Sequence, residues 1–350
     1  MRIAQIAPLH EAVPPKLYGG TERVVSFLTE ELVAMGHDVT LFASGDSKTS
    51  AKLQAVWPRA LRLDTSIRDT VAPHMLLMEA VRRQVDQFDM LHFHMDYWPF
   101  SMFSRLNTPF VTTMHGRLDL PELTPVFECF SDVPVVSISD SQRRPLPAAN
   151  FVATVQHGLP ADLLRPQPGK QDYLAFLGRI APEKRPDRAI RIARAAGIKL
   201  RMAAKVDRAD QEYFANVIEP MLAGGGVEMI GEIGDAEKPA FLSGACGLLM
   251  PIDWPEPFGL VMIEAMACGT PVIAFNRGSV PEIVDNGVTG FIVEDETSAT
   301  AAVRRLPELS RETVRARFEA RFTARRMADD YLAIYRKLGA MDRPALRVVS

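Results

Sequence analysis

The sequence predicts an α/β protein with two doubly wound parallel sheets facing each other across a cleft. Three observations predict it. Apolar runs of strand length alternate with longer stretches of helical periodicity in both halves of the chain. A Pro- and Gly-containing segment with few apolar residues in sequence, His157 to Asp172, separates the halves as a linker would. The 350 residues and 47% hydrophobic content suffice for two cores of ordinary size. A net charge of −3 gives no basic footprint and argues against nucleic acid as a partner. Cys129, Cys246 and Cys268 are odd in number and far apart, which points to a reducing compartment and to neither a disulfide framework nor a zinc cluster. The opening run, Met1 to Pro8, is too short for a signal-peptide core, and no apolar run approaches spanning length. The expected location is cytoplasmic.

In the first half, Arg2 to Ala7 reads as a buried strand. A Pro-rich loop leads to Gly19 and Gly20. Val24, Val25, Phe27, Leu28, Leu32 and Val33 then recur at helical spacing, with Thr21 as N-cap and Gly36 as stop. The two glycines thus fall between a strand and a helix N-terminus, where backbone amides can approach phosphate. Taken alone, the pair reads first as a tight turn. Asp38 to Ala43 is the next strand. Asp46 to Val71 shows little periodicity and is left as a variable segment. Ala72 to Phe88 reads as a helix whose positive charges, Arg82 and Arg83, are weak grounds for membrane docking; peripheral membrane contact is left open but not indicated. The strand Asp89 to His94 puts His92 and His94 on one side. With no third ligand in evident reach, they read as satisfied strand-end histidines rather than a metal site. Pro109 to Met114 is a strand ending at His115, and ligands of open α/β sheets gather outside such ends. On its own, His115 is an ordinary loop residue. A helix (Pro121 to Phe130), a strand (Val133 to Ile138), a helical turn (Ser139 to Arg144) and a strand (Val152 to Gln156) complete this half.

The second half opens with the strand Tyr173 to Leu177. Arg179 and Lys184 fall in the loop before a helix from Pro186 to Ala196. Two cations at a strand's C-terminal end suit a diphosphate, with plain surface solvation as the alternative. A strand (Lys199 to Ala204), a helix (Asp207 to Leu222), a strand (Val227 to Ile230), a loop at Gly231 and Glu232, and a helix (Asp235 to Ala245) lead to the apolar strand Gly247 to Ile252. Asp253 to Gly259 is a turn. A helix runs from near Gly259 to Ala267, with Gly269 as its left-handed stop and Pro271 barring continuation, and Val272 to Phe275 resumes as strand. The amides of Phe258, Gly259 and Leu260 open that helix and can hold an anion, and Gly259 lets a phosphate reach the backbone. Glu256 precedes the helix. Glu264 lies inside it and leans towards its N-terminus. Carboxylates there would repel phosphate but suit hydroxyls, and phosphate beside hydroxyl acceptors describes a nucleotide sugar. The alternative is a solvated Glu264 and a dipole-compensating Glu256. After Val293 the sequence reads as helical to about Leu338, where Met327, Tyr331, Leu332, Ile334 and Tyr335 form a packing stripe.

The run from Glu256 through Gly259 and Glu264 to Ala-Met-Ala-Cys-Gly-Thr-Pro-Val-Ile-Ala resembles the Glu-x7-Glu motif of retaining family-four glycosyltransferases, which have the GT-B fold of two Rossmann-like domains. The segments beginning at Arg277 and Asn286 continue the likeness. The resemblance implies an acceptor-side domain over 1–165, a nucleotide-sugar domain over 166–322, and a helix over 323–350 that crosses back onto the first domain. It implies that Gly19 and Gly20 form a loop facing donor and acceptor, that Gly231 lies in the base-binding loop, and that Glu264 holds ribose hydroxyls and Glu256 sugar hydroxyls. Arg179 and Lys184 would stabilise the departing diphosphate, and His115 would orient the donor sugar. Where the family commonly has Asn-Gly this chain has His157-Gly158, which leaves the role of position 157 open.

The expected activity is transfer of a hexose, with retention, from a UDP- or GDP-sugar to a hydroxyl of an unidentified acceptor. Neither half carries a dinucleotide fingerprint or a phosphate loop, and no cofactor is expected. No Asp-x-Asp triplet occurs, so no metal is expected either. No carboxylate presents itself as nucleophile, in line with front-face attack in which the leaving phosphate takes the acceptor proton. Two alternatives remain: a nucleotide-sugar epimerase of the same fold, and a non-catalytic nucleotide-sugar-binding protein.

Overall fold

In the computed structural model, residues 1–16, 19–62 and 64–340 are described. Tyr18, beside the Gly-Gly pair, and 341–350 of the expected terminal segment lie outside the described residues. The chain divides into two compact units, Met1–Gly158 with Ala324–Ser350, and Leu159–Thr323.

In the first unit, β1 (Arg2–Ile6), β2 (Asp38–Ser44), β3 (Lys52–Trp57), β4 (Met90–Phe93), β5 (Phe110–Thr113), β6 (Val135–Ser137) and β7 (Phe151–Thr154) form one parallel sheet ordered β3-β2-β1-β4-β5-β6-β7. The chain winds outward from β1 to β3 and then crosses to β4 to wind the other way. The C-terminal ends of β1 and β4 therefore flank the point where the loops diverge, the usual ligand position in such sheets. Apolar side chains of the sheet, Leu91, Phe93 and Phe110 among them, pack with Leu77, Phe100 and Phe127 from the helices into one core.

The second unit repeats the plan. Here β8 (Tyr173–Arg179), β9 (Lys199–Lys205), β10 (Val227–Gly231), β11 (Ala245–Met250), β12 (Val272–Phe275) and β13 (Gly290–Val293) make a parallel sheet ordered β10-β9-β8-β11-β12-β13. Its switch point lies between β8 and β11. Leu174, Phe176, Ile190, Leu249 and Val303 belong to its core. No helix among the described residues is long and apolar enough to cross a membrane.

The structure corrects several expectations. The helix Gly20–Ala34 is capped by Gly19 at φ 152°, not by Thr21, and the approach of the Pro15 side chain leaves no room for a Cβ at position 19. The unreadable stretch 46–71 contains β3, an edge strand exposed enough to show no clean apolar alternation. The helix expected over 72–88 is Val71–Arg82 with a short 3-10 turn after it. The helix expected over 207–222 breaks into short pieces around a π-helical segment, Phe214–Ile218. Pro220 lacks the N–H that an unbroken α-helix would use there, and the wider turn absorbs the loss. The helix expected over 235–245 is Lys238–Ser243, and Ala245 already belongs to β11. The long helical run after Val293 is three helices, Glu296–Arg305, Arg311–Arg321 and Ala324–Gly339. Side-chain caps from Asp295 and Ser310 start the first two. The last packs in the first unit against Gly20–Ala34, with Tyr331 and Tyr335 fully buried.

Candidate active site

Two loops leave the switch point of the second sheet and meet. The first follows β8. Arg179 is the last residue of that strand rather than a loop residue, and Pro182–Lys184 forms a 3-10 turn. The second, 251–259, follows β11. The Asp253 N–H donates to the Glu183 carbonyl at 2.9 Å, which ties the loops backbone to backbone. The Lys184 ammonium lies 2.5 Å from Glu256 Oε2 and 4.6 Å from the centre of the Trp254 ring. Trp254 Nε1 donates to the same oxygen at 3.0 Å. Glu256 is 8% exposed, so this pairing works in a partly desolvated setting where charge interactions are stronger than at an open surface. Its backbone is clamped as well. Ser279 N–H donates to the Glu256 carbonyl at 3.0 Å, and Gly278 packs directly against the Glu256 backbone.

Arg179 is hydrogen-bonded to two carboxylates, Asp210 at 2.5 Å and Glu183, while Asp207 lies 3.8 Å from its Nε. Neither stands out in the sequence, where both look like solvated charges. The helix Leu260–Ala267 begins at Gly259, whose φ of 82° suits glycine, and no side chain among the described residues caps it. Glu264 is not a solvated helix residue: it is buried, with Oε1 2.6 Å from the ammonium of Lys238, itself buried and 3.3 Å from Asp235. Sequence reasoning missed Lys238. Its signal was weak, a lone lysine at the start of a helix, and only the fold puts it beside Glu264. Gly231 ends β10 with φ 81°. Arg179, Lys184, Glu256 and Gly259 thus lie at or just beyond the C-terminal ends of the two central strands, β8 and β11, of the second unit.

Gly19, Gly20 and His115 belong to the first unit, Gly19 and Gly20 after β1 and His115 after β5. His92 and His94 are buried and fully engaged: His92 with Tyr335 and Thr113, each at 2.7 Å, and His94 with Gln5 at 2.8 Å and His115 at 2.9 Å. Burial pushes the His115 imidazole down to about 3 and those of His92, His94 and His157 well below their ordinary value, so all four rings are neutral near pH 7. His157 stacks on His115 with ring centres 5.3 Å apart. Glu22, next to the glycine loop and also missed, is buried, and burial raises its carboxyl to about 7. Among the described residues no three His, Cys, Asp or Glu side chains are grouped as a metal ion would need.

Two α/β units on parallel sheets, each with its candidate residues at the C-terminal strand ends, define the GT-B class of glycosyltransferase fold. Residues 165–325 match the family model described as Glycosyl transferases group 1, and residues 18–180 match Glycosyltransferase Family 4. The first match falls mainly on the second unit and the second on the first, so both units resemble glycosyltransferases. It is 31% identical over 220 residues to a D-inositol 3-phosphate glycosyltransferase of Saccharomonospora viridis, a match covering 56% of this chain and 48% of the relative. A D-inositol 3-phosphate glycosyltransferase of Mycolicibacterium smegmatis is 30% identical over 218 residues, covering 54% and 44%. The chain spans about half the length of the curated relatives it matches. Similar solved structures include AviGT4, a glycosyltransferase involved in avilamycin A biosynthesis (TM-score 0.76, 24% identity, 97% of this chain and 98% of that one). Sucrose-phosphate synthase from Thermosynechococcus elongatus (TM-score 0.77, 21% identity, 97% and 99%) and Anabaena HepE in complex with UDP and glucose (TM-score 0.71, 18% identity, 97% and 100%) share the fold.

Proposed function

We propose that this protein is a retaining glycosyltransferase that moves a hexose from a UDP- or GDP-sugar to an acceptor hydroxyl without a metal ion. The observation that carries the reading is the pairing of Lys184 with Glu256 beside the helix that Gly259 opens, at the switch point of the second sheet. It sets a cation, a carboxylate and an anion-favouring helix end within one small region. A diphosphate would draw on Arg179, Lys184 and the amides near Gly259, while Glu256 and Glu264 would accept hydrogen bonds from sugar and ribose hydroxyls. As the glycosidic bond breaks, negative charge grows on the leaving diphosphate, and fixed cations lower the barrier because they need no reorganisation at that moment. Front-face attack, with the leaving phosphate taking the acceptor proton, requires no protein nucleophile. His115 would orient the donor sugar, and Gly19 and Gly20 would allow close approach of donor and acceptor to backbone. The inositol phosphate and sugar phosphate chemistry named for the relatives suggests polyol or sugar acceptors as the first to try.

The test is turnover of UDP- and GDP-hexoses against a panel of sugar and polyol acceptors, with the anomeric configuration of the product read by NMR. Transfer with retention that persists in excess EDTA is the expected result. An inverted product would overturn the retaining assignment, and a metal-reversible loss of turnover would overturn metal independence. Epimerised donor without any acceptor product would favour the epimerase alternative.

A further inference from the structure

The loop that follows β4 holds a carboxylate without a partner among the described residues. Asp96 is half-buried, and its only hydrogen bond there runs through its backbone carbonyl. The carboxylate oxygens are not among the side-chain atoms sealed from solvent without a partner, so a ligand can reach them. Burial raises the acid to about 6, and no neighbouring charge acts on it in either direction. Near neutral pH it is ionised, although polar groups in such settings are normally paired. Its backbone is unfavourable as well. Asp96 has φ 47°, a left-handed conformation that Gly or Asn would adopt at less cost. The Thr112 hydroxyl on β5 pins this turn by donating to the Asp96 carbonyl at 2.9 Å, and the Trp98 N–H closes it on the Met95 carbonyl at 3.1 Å. Asn would suit the position on both counts. An aspartate kept there points to a use for the charge.

The same turn presents Tyr97 and Trp98, 42% and 37% exposed. The Trp98 ring is propped from behind: its centre lies 5.2 Å from that of His74, which lies 4.8 Å from that of His10. His74 is itself fixed. Its Nδ1–H donates to the Thr70 carbonyl at 2.6 Å, and its Nε2 accepts from the Leu9 N–H at 3.0 Å. The three rings join the loop after β1 to the loop after β4, the two strands that flank the switch point of the first sheet. All of these residues belong to the first unit. A fixed, exposed indole and a free carboxylate in one turn match the two sides of a sugar or cyclic polyol. The indole covers the ring's C–H face, and the carboxylate accepts from its hydroxyls. A phosphate would be repelled, because no cation acts on Asp96.

We propose that Asp96 and Trp98 form a subsite in the first unit for a neutral sugar or polyol, with the Asp96 carboxylate accepting from its hydroxyls and the Trp98 indole packing on its ring. That the ligand is the acceptor of transfer rests on the function proposed above, whereas the binding of a sugar or polyol here does not. Asp96 takes no proton in this role.

Saturation-transfer NMR on the full chain, without nucleotide and near neutral pH, reads binding of D-glucose, D-mannose, D-galactose and myo-inositol. At least one should bind, and failure of the whole panel overturns the proposal. Asp96→Asn keeps the shape, suits the left-handed φ and removes the charge. It should melt at the same or a higher temperature while the bound compound binds roughly 5- to 12-fold weaker, the difference between a charged and a neutral hydrogen bond. An aspartate that served the turn alone would give unchanged affinity, and one with a structural partner would give a lower melting temperature; either result overturns the proposal. Asp96→Gly, which accepts the same φ, serves as the second variant should Asp96→Asn fail to fold. Trp98→Leu should abolish detectable binding, with Trp98→Phe as its substitute if the leucine chain does not fold, and unchanged affinity in either overturns the indole's role. Where transfer is detected, Asp96→Asn should raise the acceptor KM in the same proportion and leave the donor Kd unchanged. Sugar binding without any transfer would count against the proposed function and leave the subsite standing. Transfer with an unchanged acceptor KM in Asp96→Asn would do the reverse.

Discussion

Arg179 and Lys184 enter the site differently, and their removal should have different side effects. Arg179→Ala and Lys184→Ala should each weaken binding of the bare nucleoside diphosphate by roughly 1.5–3 kcal/mol, the range for a hydrogen bond to a charged group. Calorimetry on both variants checks this, and unchanged affinity in both removes them from the site. Lys184→Ala also strands Glu256, whose carboxylate would keep only Trp254 Nε1 of these two partners. Glu256→Gln should mainly lower turnover, because a carboxylate accepting bonds that strengthen as charge develops on the sugar acts on the barrier. Glu264→Gln should mainly weaken nucleotide binding. It should also lower thermal stability, since it leaves the buried Lys238 ammonium with only the more exposed Asp235 as counter-charge. If the two variants show the same split between dissociation constant and kcat, this division of roles is wrong.

Between the residue and the domain lies the loop 251–259, whose shape depends on a segment it does not contain. A Cβ added at Gly278 would sit 2.3 Å from the Glu256 carbonyl oxygen and 2.4 Å from its backbone nitrogen. Both are backbone atoms and cannot swing aside as a flexible side chain could. Gly278 also has φ 57°, a conformation that costs an L-residue on the order of 1 kcal/mol. Gly278→Ala should therefore displace Glu256 and cut turnover by tenfold or more, though it touches no group that would contact substrate. Gly287→Ala is the control: its φ is 77° but it has open space around it, so it should show the backbone cost in stability without the loss of turnover. Equal turnover in the two variants would separate Gly278 from the placement of Glu256.

At the scale of the whole molecule, the buried imidazoles set how stability responds to acid. His92, His94, His115 and His157 have folded pKa values below the unfolded one, and burial lowers His10, His37 and His74 too. Below about pH 6.5 the unfolded chain binds protons on these rings that the folded chain does not, so stability is complete above that pH and is lost as pH falls. Each ring contributes at most about 1.4 kcal/mol per pH unit. Glu22, raised to about 7, and Asp96, raised to about 6, oppose this, because they hold protons in the folded state that they shed on unfolding. Seven rings against two carboxyls leave the histidines in control. The melting temperature should fall steadily between pH 7 and pH 5, and fall less steeply in His115→Asn. A flat or rising profile would mean that these rings are not held neutral.

Much of the architecture was legible because it depends on local periodicity and on stop signals. The alternation of strand and helix, the helix Pro186–Ala196, the strand Val272–Phe275 and the helix opened by Gly259 and closed before Gly269 follow from apolar spacing, prolines and left-handed glycines. Arg179, Lys184, Glu256 and Glu264 could be singled out because their chemistry sits at strand and helix ends that the same signals locate. What those residues touch was decided elsewhere. Lys238 meets Glu264, Asp210 meets Arg179, and Gly278 meets the Glu256 backbone only once parallel strands distant in sequence are set side by side. β3 stayed hidden because an exposed edge strand loses the alternation that marks a strand. The histidine chain is the clearest case. Gln5, His94, His115 and Tyr335 come from three strand ends and the last helix, and only the fold brings them within hydrogen-bond reach of one another. Local sequence determines elements because their energetics are short-ranged in the chain; the pairing of a buried polar side chain depends on partners that only the tertiary fold brings within about 3 Å.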